Sequence, residues 1–165
     1  MTNRMDKTHK TYCLIGGGIG LFSAVSVACV VGSPLPALRL LGAAGVLPPL
    51  WLMEILWSGM YALAGVSAGY LFACSPGGGE GEALRWRGMT FLIFEVTFSF
   101  AWYSLLFGSL LLLPSWLCLL LSIASGVVGA VTWLPVCKPA AGIAAGVALG
   151  QLSLWITQLA VILHN

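Results

Sequence analysis

Charge is what this 165-residue chain has least of: charged side chains make up 7% of it, against roughly 25% in an ordinary soluble domain. With 59% hydrophobic residues and a mean hydropathy of +1.00, the chain has too little polar surface for a water-facing fold, which excludes a soluble catalytic domain. Basic residues are too few and too scattered to form a nucleic-acid patch, so no nucleic-acid partner is expected. Histidine is confined to His9 and His164, close to the two ends. Axial haem ligation inside an apolar bundle therefore has no donor, and no Ser/His/Asp or Cys/His set can be assembled there. Cys13, Cys29, Cys74, Cys118 and Cys137 show no CxxC or other metal spacing. They read as small apolar packers, with no metal site and no resident cofactor expected.

What the chain does have is apolar length. A bilayer core of roughly 30 Å needs about 20 apolar residues in a helix, and five stretches qualify: Tyr12–Val31, Pro49–Phe72, Gly88–Gly108, Ser115–Leu134 and Ala140–Leu163. The fold class expected is an all-α membrane protein, a single domain of five transmembrane helices. Arg4, Lys7, Lys10, Arg85, Arg87 and Lys138 fall on the N-terminal side of that arrangement, against Arg39 alone on the other. The bias of basic residues toward the cytoplasm then predicts a cytoplasmic N-terminus and a C-terminus on the opposite side, with a bacterial cell membrane as the expected location.

Several local patterns invite other readings and lack the context for them. Met1–Lys10 followed by an apolar run resembles a secretory leader, but four more spans follow. Gly16-Gly17-Gly18-Ile19-Gly20 lies inside the first span rather than in a βαβ unit, so its glycines serve close helix approach. Ser75–Glu82 is a glycine-rich segment without the Lys-Ser/Thr ending of a phosphate loop, and reads as a flexible hinge. Gly32–Leu47, with Pro34, Pro36 and Arg39, is long enough to fold over one end of the bundle as a lid, or to serve as a plain connector. Gly142, Gly146 and Gly150 form a ridge that can dock a helix of the same bundle or of a second protomer, so a homodimer is one expected assembly.

The sharpest signals are polar groups inside the spans. Taking about 100° per residue, Trp51, Glu54, Trp57, Tyr61, Gly65 and Ala68 share one arc of the second span, which Pro48 and Pro49 open at positions a helix start tolerates. Leu52, Leu56, Leu63 and Val66 lie opposite. Phe91, Glu95, Phe98, Ser99 and Trp102 share a face of the third span, and Gln151, Trp155 and Gln158 one of the fifth. Trp116 and Trp133, near the ends of the fourth span, fit the interfacial aromatic belt. A carboxylate at mid-membrane costs about 3 kcal/mol or more, so Glu54 and Glu95 are expected to face a cavity, a partner or water. A rise of about 1.5 Å per residue sets them at different depths, with Trp102 and Trp155 close to the level of Glu54. Each acid fits either a plain interhelical hydrogen bond or a binding site. Together, Trp51, Trp57, Trp102 and Trp155 outline a pocket for a flat apolar ligand, with Tyr61, Glu95 and Gln151 completing its wall.

The order and spacing of these motifs resemble the translocator protein family (TspO/MBR, tryptophan-rich sensory and peripheral benzodiazepine receptor-like proteins). Pro48-Pro49-Leu50-Trp51, Trp57, Tyr61 and Gly65 are similar to the family's Pro-Pro-x-Trp…Trp…Tyr…Gly helix. Ala101-Trp102 with Phe107-Gly108, and Thr132-Trp133 with Pro139-Ala140-Ala141, resemble its later motifs. The likeness covers about residues 45–165. The Lys-Pro-x-Trp that usually precedes Pro-Pro is missing, and Glu54 and Glu95 are not family features. The resemblance implies an internal pocket, closed by the first loop, for tetrapyrroles such as protoporphyrin IX and for sterol-like ligands, lined by Trp51, Trp57 and Trp102. It implies a binding and transporting receptor rather than an enzyme, although family members are proposed to promote porphyrin breakdown. Two other functions are left open by the residues themselves: a proton-coupled small-molecule permease using Glu54 and Glu95, and a structural membrane subunit docking through the glycine ridge.

Overall fold

The computed structural model describes residues 2–32, 34, 39, 50–75 and 78–164. They form a bundle of five helices: α1 (Thr2–Val31), α2 (Leu50–Ala73), α3 (Gly78–Tyr103), α4 (Leu112–Trp133) and α5 (Lys138–His164). Each is long and apolar enough to cross a membrane, and among the described residues there is no strand. The chain is thus a multi-pass, all-α integral membrane protein. Helix is the form such segments must take, because hydrocarbon offers backbone groups no outside hydrogen-bond partner.

Glycine and proline set the breaks. Gly32 takes φ +83° just past the end of α1, and its amide donates to the Ala28 carbonyl at 2.9 Å, as a left-handed terminal glycine does. Pro114 sits in the first turn of α4 and Pro139 in that of α5, where a missing amide costs nothing. Between Tyr103 and α4 the chain makes one π-helical turn, Ser104–Gly108.

Two expectations change here. The hinge placed at Ser75–Glu82 is helical from Gly78 on, so α3 starts ten residues before Gly88. Acidic side chains favour a helix N-terminus: Glu80 lies in the first turn, and Glu82 pairs with Arg85 at 3.3 Å while accepting the Trp86 indole N–H at 2.7 Å. Likewise, α1 reaches back into the basic tail to Thr2. Pro48, Pro49 and most of the Gly32–Leu47 connection lie outside the described residues.

The closest backbone packing runs from α1 to α2, α2 to α5, α5 to α4 and α4 to α3, while α2 and α3 stand further apart and meet through their aromatic side chains. Near the basic end of the bundle, Cys74 at the end of α2 is disulfide-bonded to Cys137 before α5. Arg85 donates to the Cys74 carbonyl, and Trp133 donates to the Arg85 carbonyl at 3.3 Å. The packer role read for Cys74 and Cys137 is therefore corrected: α2 and the α4–α5 turn, 63 residues apart in sequence, bring them together. Trp133 is no belt residue either. It is fully buried, with its indole seated over Gly88, where a side chain would collide with the ring.

Helix α1 stands at the rim, and Ala24 is its only buried side chain among those described. It meets α2 backbone to backbone, because a Cβ on Gly16, Gly20, Gly65 or Gly69 would run into a carbonyl of the facing helix. By contrast, nothing lies within 4 Å of a Cβ on Gly142 or Gly146, so that part of the α5 ridge faces outward.

Candidate ligand-binding site

The eight residues read as one pocket fall into three groups. Glu54, Trp57 and Trp102 line one cavity toward the far end, together with Pro34, Met53, Tyr103, Phe107 and Leu154. Tyr61, Glu95 and Gln151 line a second one deeper in the bundle, with Met60, Ala64, Val96, Ser99 and Val147. Trp51 and Trp155 line neither. Trp51 is 62% exposed, since it lies about 120° round the helix from Trp57, beyond the buried stripe of Met53, Trp57, Tyr61 and Ala64. Trp155 turns toward α4 and stacks on Trp116 at 4.8 Å, which gives both rings a helix-packing role in place of pocket or belt.

The far cavity measures about 10 Å³, room for roughly one water, because its aromatic walls lean on one another. Trp57 stacks on Tyr103 at 4.2 Å and meets Tyr61 edge-on at 4.9 Å. Tyr61 stacks on Phe100 at 4.8 Å, and Tyr103 packs on Phe107 at 4.8 Å. The π-helical turn after Tyr103 brings Leu106 and Phe107 into the core; such turns recur at functional sites. Glu54 is solvent- or lipid-accessible at the cavity's edge, while Trp57, Trp102 and Tyr103 are buried.

Beneath this layer runs a polar network. The Trp102 indole N–H donates to Gln158 Oε1 at 2.7 Å, and Gln158 Nε2 donates to Ser115 Oγ at 2.6 Å and to the Leu112 carbonyl at 3.0 Å. Ser122 Oγ lies 2.7 Å from the Glu95 carbonyl and 3.1 Å from Gln151 Oε1, donating to this pair of acceptors. Gln158 lies seven residues from Gln151, on the helix face where the sequence already groups the two; Ser115 and Ser122 are the partners that the sequence reading did not put in the site.

Other groups are buried without a partner: Trp57 Nε1, Tyr61 Oη and Glu95 Oε1 make no hydrogen bond. Each such atom costs about 1–3 kcal/mol; Arg85 Nε, Trp116 Nε1 and Trp155 Nε1, outside these cavities, are in the same condition. Among the described residues no cluster of His, Cys, Asp and Glu is arranged to hold a metal ion. Comparison with protein-family models, with curated proteins and with solved structures returns no match.

Proposed function

We propose that this chain is a translocator-type membrane receptor that binds a flat hydrophobic ring compound, a porphyrin or a sterol-like molecule, between the aromatic side chains of α2 and α3. The observation that carries this reading is Trp57: its buried ring is stacked on Tyr103, its indole N–H is unpartnered, and it shares a cavity with Trp102 and Glu54. A planar ligand entering that layer exchanges ring-on-ring contact for ring-on-ligand contact, so little stacking is lost; each aromatic pair is worth about 0.5–1.5 kcal/mol. It also gives the Trp57 N–H an acceptor. Pro34, from the first connection, lines the same cavity. The motif resemblance to the TspO/MBR proteins supports the same ligand class. We further propose a cytoplasmic N-terminus in a bacterial cell membrane, from the basic residues at the Arg85 and Lys138 end. The permease alternative is less favoured, since Glu54 and Glu95 line separate cavities.

Tryptophan emission titrated with protoporphyrin IX on purified protein in detergent tests the proposal. Saturable quenching is expected, with most of its amplitude lost in Trp57→Phe and Trp102→Phe and kept in Trp51→Phe, whose ring faces away. A non-saturating titration, or equal losses in all three variants, overturns it.

A further inference from the structure

A cleft of about 360 Å³ runs along the outside of the bundle between α1 and α3, within the range of roughly 300–1,000 Å³ typical of small-molecule sites. Its floor is α2, where Gly65, Ala68 and Gly69 carry almost no side chain. Ile15 and Ile19 of α1 form one wall, Leu92 and Val96 of α3 the other. The glycine seam seats α1 directly on α2, and the groove beside it stays open outward, where Ile15 and Ile19 are 54% and 63% exposed. No charged side chain lines it, and the Ser23 hydroxyl donates to the Ile19 carbonyl of its own helix at 2.9 Å. The occupant it fits is therefore apolar along its length.

Depth and width choose between occupants. On α2 the cleft runs from Phe72, beside the end of the span Trp51–Ala73, to Tyr61, near the middle of that span. At 1.5 Å per residue this is about 16 Å, roughly half of a hydrocarbon core of about 30 Å, so the groove covers the depth of one leaflet and stops. Spread over that length, 360 Å³ is a channel about 5 Å across, about half the 10–12 Å diameter of a helix with its side chains. A transmembrane helix of a second copy is too wide to enter it, whereas a single acyl chain is not. The boundary end of the cleft is also its charged end. Phe72 meets Trp86 edge-on at 6.2 Å, Trp86 stands between Arg85 and Arg87 on α3, and Lys10 comes two positions before Tyr12 on α1. The ends of α1 and α3 that flank this mouth carry Arg4, Lys7, Lys10, Arg85 and Arg87 against Asp6, Glu80 and Glu82, and Glu82 is engaged by Arg85 and the Trp86 N–H. Basic side chains at a membrane surface attract anionic lipid, and Trp and Tyr sit at headgroup level.

We propose that the cleft is a lateral site for one anionic phospholipid, a single acyl chain lying in the groove and the headgroup held at the Lys10 and Arg87 edge. No residue that lines it lines the ring-ligand cavity, so the site goes beyond the receptor reading and either can stand without the other.

The probe is a phosphatidylglycerol carrying a diazirine on one acyl chain, photolysed on the full chain in phosphatidylcholine nanodiscs and mapped by peptide mass spectrometry. Saturable labelling is expected in the segments 12–23 and 61–72, displaced by unlabelled phosphatidylglycerol and far less by zwitterionic phosphatidylethanolamine. Lys10→Gln and Arg87→Gln should each weaken saturation about fivefold, the worth of one basic residue at an anionic surface. Ile19→Trp fills the groove from its exposed wall without entering the core and should abolish labelling. Leu149→Trp, on the outer face of α5 at 67% exposed, should leave it unchanged. The proposal is overturned by labelling spread evenly round the bundle, by equal displacement with phosphatidylethanolamine, or by saturation that neither charge substitution weakens. Labelling that survives Ile19→Trp, or a native mass spectrum showing two copies and no retained lipid, overturns it as well.

Discussion

Replacing Gly65 by alanine tests the account of how α1 is held. A Cβ there would sit 2.6 Å from the Gly16 carbonyl carbon and closer still to its oxygen, whereas ordinary contact begins at 3.4 Å. Helix α1 must therefore retreat by at least 0.8 Å, the difference between those two distances. Both atoms that collide are backbone, so no rotamer change relieves them. Overpacking of this kind costs about 1–3 kcal/mol, set against a gain of up to about 1 kcal/mol from better helix propensity. The expected net loss is about 0–3 kcal/mol, which for a chain of this size lowers the melting temperature by up to about 12 °C at roughly 2–4 °C per kcal/mol. Gly146→Ala supplies the control, since nothing lies within 4 Å of its Cβ and only the propensity gain applies. Thermal unfolding of the two variants in the same detergent, followed by circular dichroism, separates them. If Gly65→Ala melts at or above Gly146→Ala, the backbone-to-backbone seam is not what seats α1.

Trp102→Phe should lower stability by about 1–3 kcal/mol by stranding Gln158 Oε1, whereas exposed Trp51→Phe should stay within about 0.5 kcal/mol; denaturant melts read the contrast. Thiol titration of the unreduced protein in denaturing detergent should find the three free cysteines, Cys13, Cys29 and Cys118, and reduction should add Cys74 and Cys137. Gly126→Ala places a Cβ 2.7 Å from Glu95 Oε1 and pushes the carboxyl toward the void. That crowding should lower stability by about 1–3 kcal/mol in denaturant melts, while protoporphyrin quenching is kept.

The five spans were legible because hydrocarbon thickness and helix rise fix their length, and the buried identity of Trp57, Glu95, Trp102 and Gln151 followed from helical spacing. Angular spacing alone could not centre the buried stripe on α2. It gave Trp51 and Trp57 the same face, but packing against α5 and α3 turns the helix so that Trp51 looks out. Trp155 and Trp133 show the same limit. Each sits where a pocket or belt role is reasonable, and each is claimed by a neighbour, Trp116 for one and Gly88 for the other, that only the tertiary arrangement supplies. The Cys74–Cys137 bond was illegible for a related reason, since nothing in a 63-residue separation announces which helix ends will meet. The division of the predicted pocket into two cavities also depends on depth along three helices at once.

The pairing of α2 with α5 rather than with α3 bears on how the protein is made. Insertion delivers α2 early and α5 last of the five, so the Gln151 side of the central void stays missing while α3 and α4 enter the bilayer. Tyr61 and Glu95 must wait beside lipid or bound water until that final helix arrives. A chain that has not yet received its last helix thus leaves a polar, aromatic interior open along one flank, and docking of that helix closes it.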